Sequence, residues 1–368
     1  MFPNLALWER LLLSAAVAFA ISYMMTPPVK RFAEAVGAMD VPKDERRVHN
    51  HPIPRMGGLA IFLGFVLSLL LFVEMSSQVM GLLLGTIVIA VMGALDDIVS
   101  LNAWIKLAGQ LLAAGIAVRF GIVVDAISNF TPAGGTTFLN TGWLSIPVTV
   151  LWIVACTNAV NLIDGLDGLA VGVSAISSLT MLVVSLYVAD PAVSLILAAV
   201  LGACVGFMPY NLNPAKIFMG DVGSQMLGFV LSTASIMGLF KFHAIISFLV
   251  PLLALAVPLA DTMFAFFRRI IHGQSPFHAD KGHFHHRLMA LGMSQKQAVA
   301  VLYGVSAVLG LIAVLMTGQS GAVRIGCIIA AFVISIAVWL LVLRSLPDHE
   351  KENDKADKDG ASENNNGT

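Results

Sequence analysis

Apolar runs long enough to cross a lipid bilayer recur along nearly the whole chain. Crossing a hydrocarbon core takes about 20 residues of α-helix, and inside lipid every backbone polar group must find its partner within the protein. Helices meet this requirement segment by segment. The sequence therefore predicts an all-α polytopic integral membrane protein, built as one continuous helical body and not as separate soluble domains.

Composition supports this class and argues against another. The chain is 58% hydrophobic and only 12% charged, whereas soluble domains are roughly 25% charged. The formal net charge is −1, so there is no basic surface that would indicate a nucleic-acid partner. The cysteines Cys156, Cys204 and Cys327 lie in apolar runs without metal-type spacing, and we expect them to be small buried residues.

Hydropathy indicates about eleven spans within a transmembrane body formed by residues 1–343. The first span is predicted to end at Pro27-Pro28. Residues 344–368, rich in Asp, Glu, Lys and Asn, are predicted to form a disordered polar cytoplasmic tail. The predicted spans are Trp8–Thr26, Gly57–Val73, Val79–Leu95, Trp104–Phe120, Pro147–Leu162, Leu169–Val188, Ala192–Met208, a span from the Gly220-Asp221 motif to Phe240, Ala244–Phe267, Ala298–Met316 and Ala322–Leu343.

The positive charges orient this arrangement. Cytoplasmic loops of membrane proteins carry an excess of Lys and Arg. With eleven spans and the amino terminus outside, most of the 21 Lys and Arg residues lie on the inner side. The exceptions are Arg10, Arg119, Lys241 and Arg324.

The same topology brings four polar motifs to the cytoplasmic side. They are the Asp96-Asp97 pair, the stripe from Asn158 to Asp167, Asp221, and the histidine motif His283-Phe-His285-His286-Arg287. Because the motifs are well separated along the chain, their common side predicts one site at the cytoplasmic face of the membrane.

The stripe occurs where an apolar run ends, a place where polar groups are costly unless they are used. At 100° per residue, Asn158, Asn161 and Asp164 fall within roughly a 120° arc of one helical face. Two amides and a carboxylate can hold a hard cation together with a polar ligand. The alternative is a helix C-cap closed by Gly165 and Gly168, but a cap needs one polar residue and not four.

Five carboxylates gathered at one membrane face would repel each other unless a cation joined them. They are Asp96, Asp97, Asp164, Asp167 and Asp221. Mg²⁺ prefers oxygen ligands and often completes its shell with substrate phosphates. Basic groups such as Lys106 and the histidine motif can hold phosphates. This combination predicts transfer between a nucleotide-linked donor and a lipid phosphate.

Plainer interpretations of the same residues stay open. The Asp96-Asp97 pair fits a solvated helix end, Asp221 fits a helix N-cap, and the histidine motif fits a polar loop. A zinc site is a weaker alternative, because no cysteine joins the closely spaced histidines. Asp261, a single polar residue near the end of a span, is predicted to be structural.

Taken together, five segments resemble the polyprenyl-phosphate N-acetylhexosamine-1-phosphate transferase family, from about Pro27 to the last span. The resemblance implies transfer of a sugar 1-phosphate from a UDP-sugar to undecaprenyl phosphate, with release of UMP and with Mg²⁺ or Mn²⁺ as cofactor. The segments are Arg55-Met-Gly-Gly58, Ala94-Leu-Asp96-Asp97, Asn158-Ala-Val-Asn161-Leu-Ile-Asp164-Gly-Leu-Asp167-Gly-Leu, Phe218-Met-Gly-Asp221-Val-Gly-Ser224 and the histidine motif.

Within that family, Ser275-Pro-Phe277 followed by Asp280-Lys-Gly and the histidine motif looks like the branch that uses UDP-GlcNAc. That branch starts wall teichoic acid linkage units, or enterobacterial common antigen and O-antigen chains. The peptidoglycan branch, which uses UDP-MurNAc-pentapeptide, has three adjacent histidines, whereas here Phe284 interrupts the run. The peptidoglycan reaction is therefore the alternative, and a homodimer is left open.

The resemblance also assigns roles to individual residues. Direct attack by the lipid phosphate, with Asp96 as proton acceptor, is favoured because one site at the membrane face can hold both substrates, and a covalent enzyme intermediate is left open. The implied catalytic residues are Asp96 and Asp97, the implied metal ligands are Asn161 and Asp221, and the implied substrate-binding residues are Lys106, Asn158, Asp164, Asp167, His283, His285 and His286.

A different class, the ion-coupled transporters, also carries carboxylates within membrane spans. Transporter sites lie near the bilayer midplane, between repeated halves of the chain. Here the acidic residues lie at span ends on one side, and no inverted repeat is visible. The sequence therefore favours an enzyme.

Overall fold

The computed structural model describes residues 5–41, 52–124, 126–130, 136–140, 142–188, 191–239, 246–271, 284–317, 323 and 326–334. Nearly all of these residues are helical, and among them six helices are long and apolar enough to cross a membrane. The protein is therefore an all-α multi-pass membrane protein, as predicted. The count of eleven spans stays a prediction, as does the tail 344–368, which lies outside the described residues.

In the first half of the chain, the described residues form five α-helices and two short β-ribbons. The helices are α1 (Leu7–Ala35), α2 (Gly58–Phe72), α3 (Ser77–Val99), α4 (Ala103–Arg119) and α5 (Ser145–Leu162), and the strands are β1 (Met39–Asp40), β2 (Ile53–Pro54), β3 (Ala126–Phe130) and β4 (Thr136–Asn140). β1 pairs with β2 and β3 pairs with β4, both antiparallel. The β3–β4 hairpin lies in a connection for which the sequence analysis predicted no strands.

The second half adds α6 (Leu169–Val188), α7 (Pro191–Asn211), α8 (Gly220–Ala234), α9 (Ile246–Ala254), α10 (Ala256–Ile271), α11 (Phe284–Ala290) and α12 (Gln295–Met316). The predicted span Ala244–Phe267 is divided into α9 and α10 on either side of Leu255. The short helix α11 lies in the connection between the predicted spans Ala244–Phe267 and Ala298–Met316, for which no helix was predicted. Residues 326–334 are also helical.

The prediction that the first span ends at Pro27-Pro28 was wrong, because α1 continues through both prolines to Ala35. Each proline removes one backbone hydrogen bond from the helix interior. Packing offsets this loss, since Val29 and Ala33 beyond the prolines are buried. Just before the prolines, the Thr26 hydroxyl donates to the carbonyl of Ser22 at 2.7 Å.

α8 is the central helix of the bundle. Every residue from Val222 to Ala234 is buried, and α8 packs against α2, α3, α5, α6 and α7. Close approach requires glycine where backbones meet: a Cβ on Gly58 would lie 2.0 Å from the nitrogen of Gly223. The N-termini of α2 and α8 are thereby locked side by side.

Helices α1 to α8 alternate in direction, so the bundle has two distinct ends. At one end the Ser77 hydroxyl, at the start of α3, donates to the carbonyl of Phe120 after α4 at 3.1 Å. At the other end the last turn of α3 meets the first turn of α8, where the Asp221 amide donates to Asp97 at 3.1 Å. This second end, called the site end below, also holds the end of α5 and the start of α4.

Candidate active site

Lys106 joins two carboxylates that belong to different helices. Its Nζ donates to Oδ2 of Asp96 at 2.6 Å and to Oδ2 of Asp221 at 2.8 Å. The Asn102 side chain caps α4 by accepting from the amide of Trp104 at 3.0 Å, which places Lys106 in the first turn of that helix. The ammonium group therefore lies between two anions that would otherwise repel each other.

Asp96 also closes the turn between α3 and α4. Its Oδ1 accepts from the amide of Leu101 at 2.6 Å, and Ser100 within this turn has a left-handed backbone, with φ of 53°. Both oxygens of Asp96 thus have donors, and its side chain is held in one orientation beside Lys106.

Asp97 caps the N-terminus of α8 from across the bundle. Its carboxylate accepts from the amides of Asp221 at 3.1 Å and Val222 at 3.4 Å. A negative charge is favourable at that helix end. Gly220 makes room for it, since a Cβ there would lie 2.4 Å from Oδ2 of Asp97 and its φ is +71°. The cap of α8 is therefore Asp97, and Asp221 itself lies in the first helical turn.

Arg55 lies on the other side of Asp97. Its Nε donates to the backbone carbonyl of Asp97 at 3.1 Å and lies 3.9 Å from the carboxylate Oδ1. Just after Arg55, the amides of Gly57 and Gly58 donate to the carbonyls of Phe218 and Met219 at 2.9 and 2.8 Å. The segment before α2 and the segment before α8 are therefore held together at the site.

Asn161 and Asp221 meet at the site end of α5 and α8. The Nδ2 of Asn161 donates to Oδ1 of Asp221 at 3.1 Å and to the Ser224 hydroxyl at 2.8 Å. The carboxylate of Asp221 is thus surrounded by donors from three residues, because Gln225 donates to its Oδ2 at 2.8 Å. The two predicted metal ligands are adjacent.

The side-chain oxygen atoms of Asp221 and Asn161 are suitable ligands for a hard divalent cation. Carboxylate and amide oxygens are the ligands that Mg²⁺ and Mn²⁺ prefer. Among the described residues, no group of three or more His, Cys, Asp and Glu has the geometry of a metal site. A cation held by Asp221 and Asn161 would therefore complete its shell with water and substrate phosphate, which is usual for Mg²⁺.

Asn158, predicted to bind substrate, is paired with other side chains of the bundle. Its Nδ2 donates to Gln110 at 2.7 Å and to the carbonyl of Val154 at 2.9 Å. Gln110 in turn donates to Gln225 at 3.0 Å. Neither glutamine was predicted from the sequence to belong to the site, although a polar residue within an apolar run is a signal that could have indicated both.

The turn between α5 and α6 carries the other two predicted acidic residues. Oδ2 of Asp167 accepts from Nδ2 of Asn213 at 2.9 Å and from the amide of Ala215 at 3.0 Å. The turn is closed at Gly168, whose φ is +79° and whose carbonyl accepts from the hydroxyl of Tyr303. Asp167 therefore fastens this turn to the loop after α7.

Asp164 lies in the same turn and is half-buried. No hydrogen bond from any described residue reaches its carboxyl group. Burial, followed by the negative charges of Asp221, Asp97 and Asp167, raises the pKa of Asp164 to about 8. Those charges show that Asp164 belongs to the same electrostatic cluster as the carboxylates of α3 and α8.

The structure describes the histidine motif only in part. His283 lies outside the described residues, and of His285 and His286 only the helical backbone in α11 is described. Asp261 on α10 fixes the start of that helix, because its Oδ1 accepts from the amide of Phe284 at 2.7 Å. The structural role predicted for Asp261 agrees with this contact, while the place of the three histidines stays a prediction.

The middle of the chain is similar to a known protein family. The family described as glycosyl transferase family 4 matches residues 79–239, a segment that runs from the start of α3 to just beyond the end of α8. It therefore contains every residue of the carboxylate cluster.

Relatives match over most of their length. The chain is 41% identical, over 82% of its length and 84% of the relative, to a Bacillus subtilis protein named probable undecaprenyl-phosphate N-acetylglucosaminyl 1-phosphate transferase. It is 36% identical, over 80% of both chains, to decaprenyl-phosphate N-acetylglucosaminephosphotransferase of Mycobacterium tuberculosis. It is 31% identical, over 82% of its length and 96% of the relative, to phospho-N-acetylmuramoyl-pentapeptide-transferase of Staphylococcus aureus.

Proposed function

Because the chain belongs to glycosyl transferase family 4, we propose that it transfers N-acetylglucosamine 1-phosphate from UDP-GlcNAc to undecaprenyl phosphate. The products are UMP and undecaprenyl-diphospho-GlcNAc. This is the first membrane step in making a cell-envelope polymer such as wall teichoic acid. The enzyme class follows from the family, and the names of the relatives that are 36–41% identical support N-acetylglucosamine 1-phosphate as the group transferred and a polyprenyl phosphate as the acceptor.

One observation carries the proposal: Lys106 bridges Asp96 and Asp221 at the site end of the bundle, at 2.6 and 2.8 Å. Three helices far apart in sequence bring a cation and two anions together there. Phosphoryl transfer between two phosphates asks mainly for positioning and for neutralisation of charge. This cluster offers both at the end of a membrane-spanning bundle, where a lipid phosphate and a soluble nucleotide can meet.

The cofactor of the proposed reaction is Mg²⁺ or Mn²⁺, which Asp221 and Asn161 would hold. When bound, such an ion neutralises phosphate charge and orients the leaving group. Lys106 supplies a second positive charge beside the same carboxylate. Asp97 and Arg55 hold the first turn of α8 in place, so Asp221 does not have to reorganise when substrate arrives.

The proposed chemical step is an in-line displacement. An oxygen of undecaprenyl phosphate attacks the β-phosphorus of UDP-GlcNAc, and the bond from that phosphorus to the bridging oxygen breaks. UMP leaves with the electron pair. Asp96 accepts the proton of the acceptor phosphate when that phosphate arrives singly ionised. Lys106 beside Asp96 steadies the negative charge of the reacting groups.

The choice of donor rests on two observations. The GlcNAc-transferring relatives are 36–41% identical to the chain, while the muramoyl-pentapeptide transferase is 31% identical. Phe284, which interrupts the histidine run, is buried, and its ring lies 5.5 Å from that of Phe264. A histidine would be poorly suited to that apolar place, which supports the GlcNAc branch over the peptidoglycan branch.

The function is tested with purified protein and undecaprenyl phosphate in detergent. UDP-GlcNAc, UDP-GalNAc and UDP-MurNAc-pentapeptide are supplied separately, and UMP release is measured. We expect UMP only, or far faster, from UDP-GlcNAc, and no UMP from the Lys106→Met variant. Faster release from the pentapeptide donor would move the protein to the peptidoglycan branch. Absence of UMP with every donor would favour the transporter alternative.

The cytoplasmic position of the site is tested by labelling in intact cells. Trp143 is 83% exposed and precedes α5, at the end of the bundle away from the site. Ala290 is exposed and precedes α12, whose Gln295 accepts from Asn213 at 2.7 Å at the site end. In a Cys327→Ser background, an impermeant thiol reagent should label Trp143→Cys but not Ala290→Cys. Labelling of Ala290→Cys alone would reverse the orientation.

A further inference from the structure

Three amide side chains form a connected chain beneath Asp221. They are Gln110 on α4, Asn158 on α5 and Gln225 on α8, and the two glutamines are 2% and 0% exposed. Gln225 ends the chain by donating from Nε2 to Oδ2 of Asp221 at 2.8 Å. The reaction described above gives no role to either glutamine.

The direction of every hydrogen bond in this chain of amides is fixed by the Val154 carbonyl, which lies at the end away from Asp221. The carbonyl of Val154 can only accept, so the Asn158 amide must turn its Nδ2 toward it, at 2.9 Å. The same Nδ2 donates to Oε1 of Gln110 at 2.7 Å. Nε2 of Gln110 then faces Oδ1 of Asn158 at 3.2 Å and Oε1 of Gln225 at 3.0 Å.

Only one orientation of the last amide satisfies both of its neighbours. Because Oε1 of Gln225 accepts from Gln110, its Nε2 has to face Asp221. A flipped amide would set oxygen against carboxylate at one end and nitrogen against nitrogen at the other. Such mismatches are costly in a buried place of low dielectric constant. The chain of amides therefore presents an N–H group to Asp221 and cannot present a hydrogen-bond acceptor.

We propose that Gln110 and Gln225 are positioning residues that fix the Asp221 carboxylate through this amide chain and thereby set the divalent-cation affinity of the site. The inference rests on the proposed function, because it takes Asp221 as a ligand of Mg²⁺ or Mn²⁺. Gln225 acts directly, whereas Gln110 acts through Gln225. Outer partners of metal ligands of this kind typically account for about tenfold to hundredfold in metal affinity.

The test uses methionine, which has a volume similar to glutamine and cannot donate an N–H group. The variants are Gln225→Met, Gln110→Met and the double variant. The matched control is Thr233→Val, which removes a buried hydroxyl on the same helix. This hydroxyl donates to backbone carbonyls of its own helix, at 2.7 Å to Phe229 and 3.1 Å to Val230. Mn²⁺ binding to the purified protein is measured by electron paramagnetic resonance without substrate, alongside thermal unfolding and the KM for UDP-GlcNAc at saturating Mn²⁺.

We expect Mn²⁺ affinity to fall about tenfold to hundredfold in Gln225→Met and about threefold to tenfold in Gln110→Met. The double variant should bind like Gln225→Met alone, because Gln110 acts through Gln225. KM for UDP-GlcNAc should change little, and Thr233→Val should bind Mn²⁺ like the wild type. A merely structural role would lower the unfolding temperature without this pattern.

Two results would overturn the inference alone: wild-type Mn²⁺ affinity in Gln110→Met, or a double variant whose loss is the product of the single losses. A wild-type protein that releases UMP but binds no Mn²⁺ would overturn the metal assignment of Asp221, and the positioning role with it. Failure of UMP release with Mn²⁺ binding and the variant pattern intact would count against the proposed reaction only.

Discussion

Three carboxylates of the site lie on helices and are called the helix set: Asp96, Asp97 and Asp221. Each of them accepts at least two hydrogen bonds. In the turn between α5 and α6, by contrast, Asp164 receives no hydrogen bond from any described residue. Its neighbour Asp167 is anchored to the loop after α7, through Asn213 and Ala215. Asp164 and Asp167 are called the turn set.

The two sets differ in how firmly hydrogen bonds hold their carboxylates before a substrate binds. Groups whose donors are in place before substrate arrives need no reorganisation during reaction, and this preorganisation is the usual source of electrostatic catalysis. A carboxyl group such as Asp164, which is crowded by like charges and receives no hydrogen bond from the described part of the chain, is free to respond to a ligand. We therefore expect the helix set to carry the chemistry and the turn set to answer to the donor nucleotide.

The largest effect should come from Asp221→Asn. The change removes the negative charge on which Lys106, Asn161 and Gln225 converge, together with a ligand of the proposed cation. A loss of several kcal/mol of transition-state stabilisation corresponds to a UMP-release rate lower by about a thousandfold. EDTA should abolish wild-type activity and Mg²⁺ should restore it. Full activity of the variant at low Mg²⁺ would remove Asp221 from the metal site.

The next effect distinguishes the two members of the Asp pair. Asp96→Asn should be impaired by about a hundredfold near pH 6, because assistance by a general base contributes 10²–10⁴-fold. It should recover in part by pH 9, since the acceptor phosphate is then fully ionised, its second pKa being about 6. The UMP-release rate of Asp97→Asn should stay low at every pH, because Asp97 caps α8 and does not accept a proton.

This comparison is made by recording UMP release from pH 6 to 9 with saturating Mg²⁺. Thermal unfolding of both variants serves as the control, since loss of the α8 cap should lower the unfolding temperature of Asp97→Asn more. An Asp96→Asn variant with the same fractional loss at every pH would make Asp96 an electrostatic or covalent participant instead of a proton acceptor.

A smaller effect should appear in the turn set as a dependence of stability on pH. The pKa of Asp164 is raised from 3.8 to about 8 by burial and by neighbouring carboxylates. Between these values the folded protein binds more protons than the unfolded chain, so its stability falls as pH rises. In EDTA, the unfolding temperature of the wild type should fall between pH 6 and pH 8 by about 2–4 °C more than that of Asp164→Asn. Equal slopes would contradict the shifted pKa.

The smallest effect should come from Asn213→Ala, which removes one of the two donors to Asp167. A single hydrogen bond to a charged group contributes about 1.5–3 kcal/mol when buried and less when partly exposed. We expect an unfolding temperature lower by about 2–4 °C, with the UMP-release rate within about threefold of the wild type. A loss of activity as large as that of Asp96→Asn would show that the turn set shares the chemistry.

Much of this arrangement could be predicted from the sequence, because hydropathy and helix direction depend on local composition. The bounds of α6 agree with the predicted span Leu169–Val188. Alternating spans bring the end of α3 and the start of α8 to one end of the bundle, and the structure joins Asp97 to Asp221 there. One common end for the carboxylates follows from topology alone.

What the sequence could not provide is register between helices. Nε2 of Gln110 lies 3.0 Å from Oε1 of Gln225, although the two residues are 115 positions apart in the sequence. No local pattern encodes this pairing. The continuation of α1 through Pro27-Pro28 depends in the same way on tertiary packing, since local propensity argues for a break. The bond from Tyr303 to the carbonyl of Gly168 is a third contact that only the assembled bundle reveals.

The cap that Asp97 provides for α8 has a consequence for biosynthesis. The two partners are separated by 124 positions, so Asp97 emerges from the ribosome well before the helix it will cap. Lys106 follows Asp96 by only ten positions and can neutralise it at once, as α3 and α4 enter the membrane as a pair. Asp97 has an earlier cationic neighbour in Arg55, 3.9 Å from its carboxylate, but the two amides that donate to that carboxylate belong to α8. A nascent chain therefore carries an incomplete site through the insertion of α5, α6 and α7, and the arrival of α8 completes the cap, the Lys106 bridge and the Asn161 contact in one step.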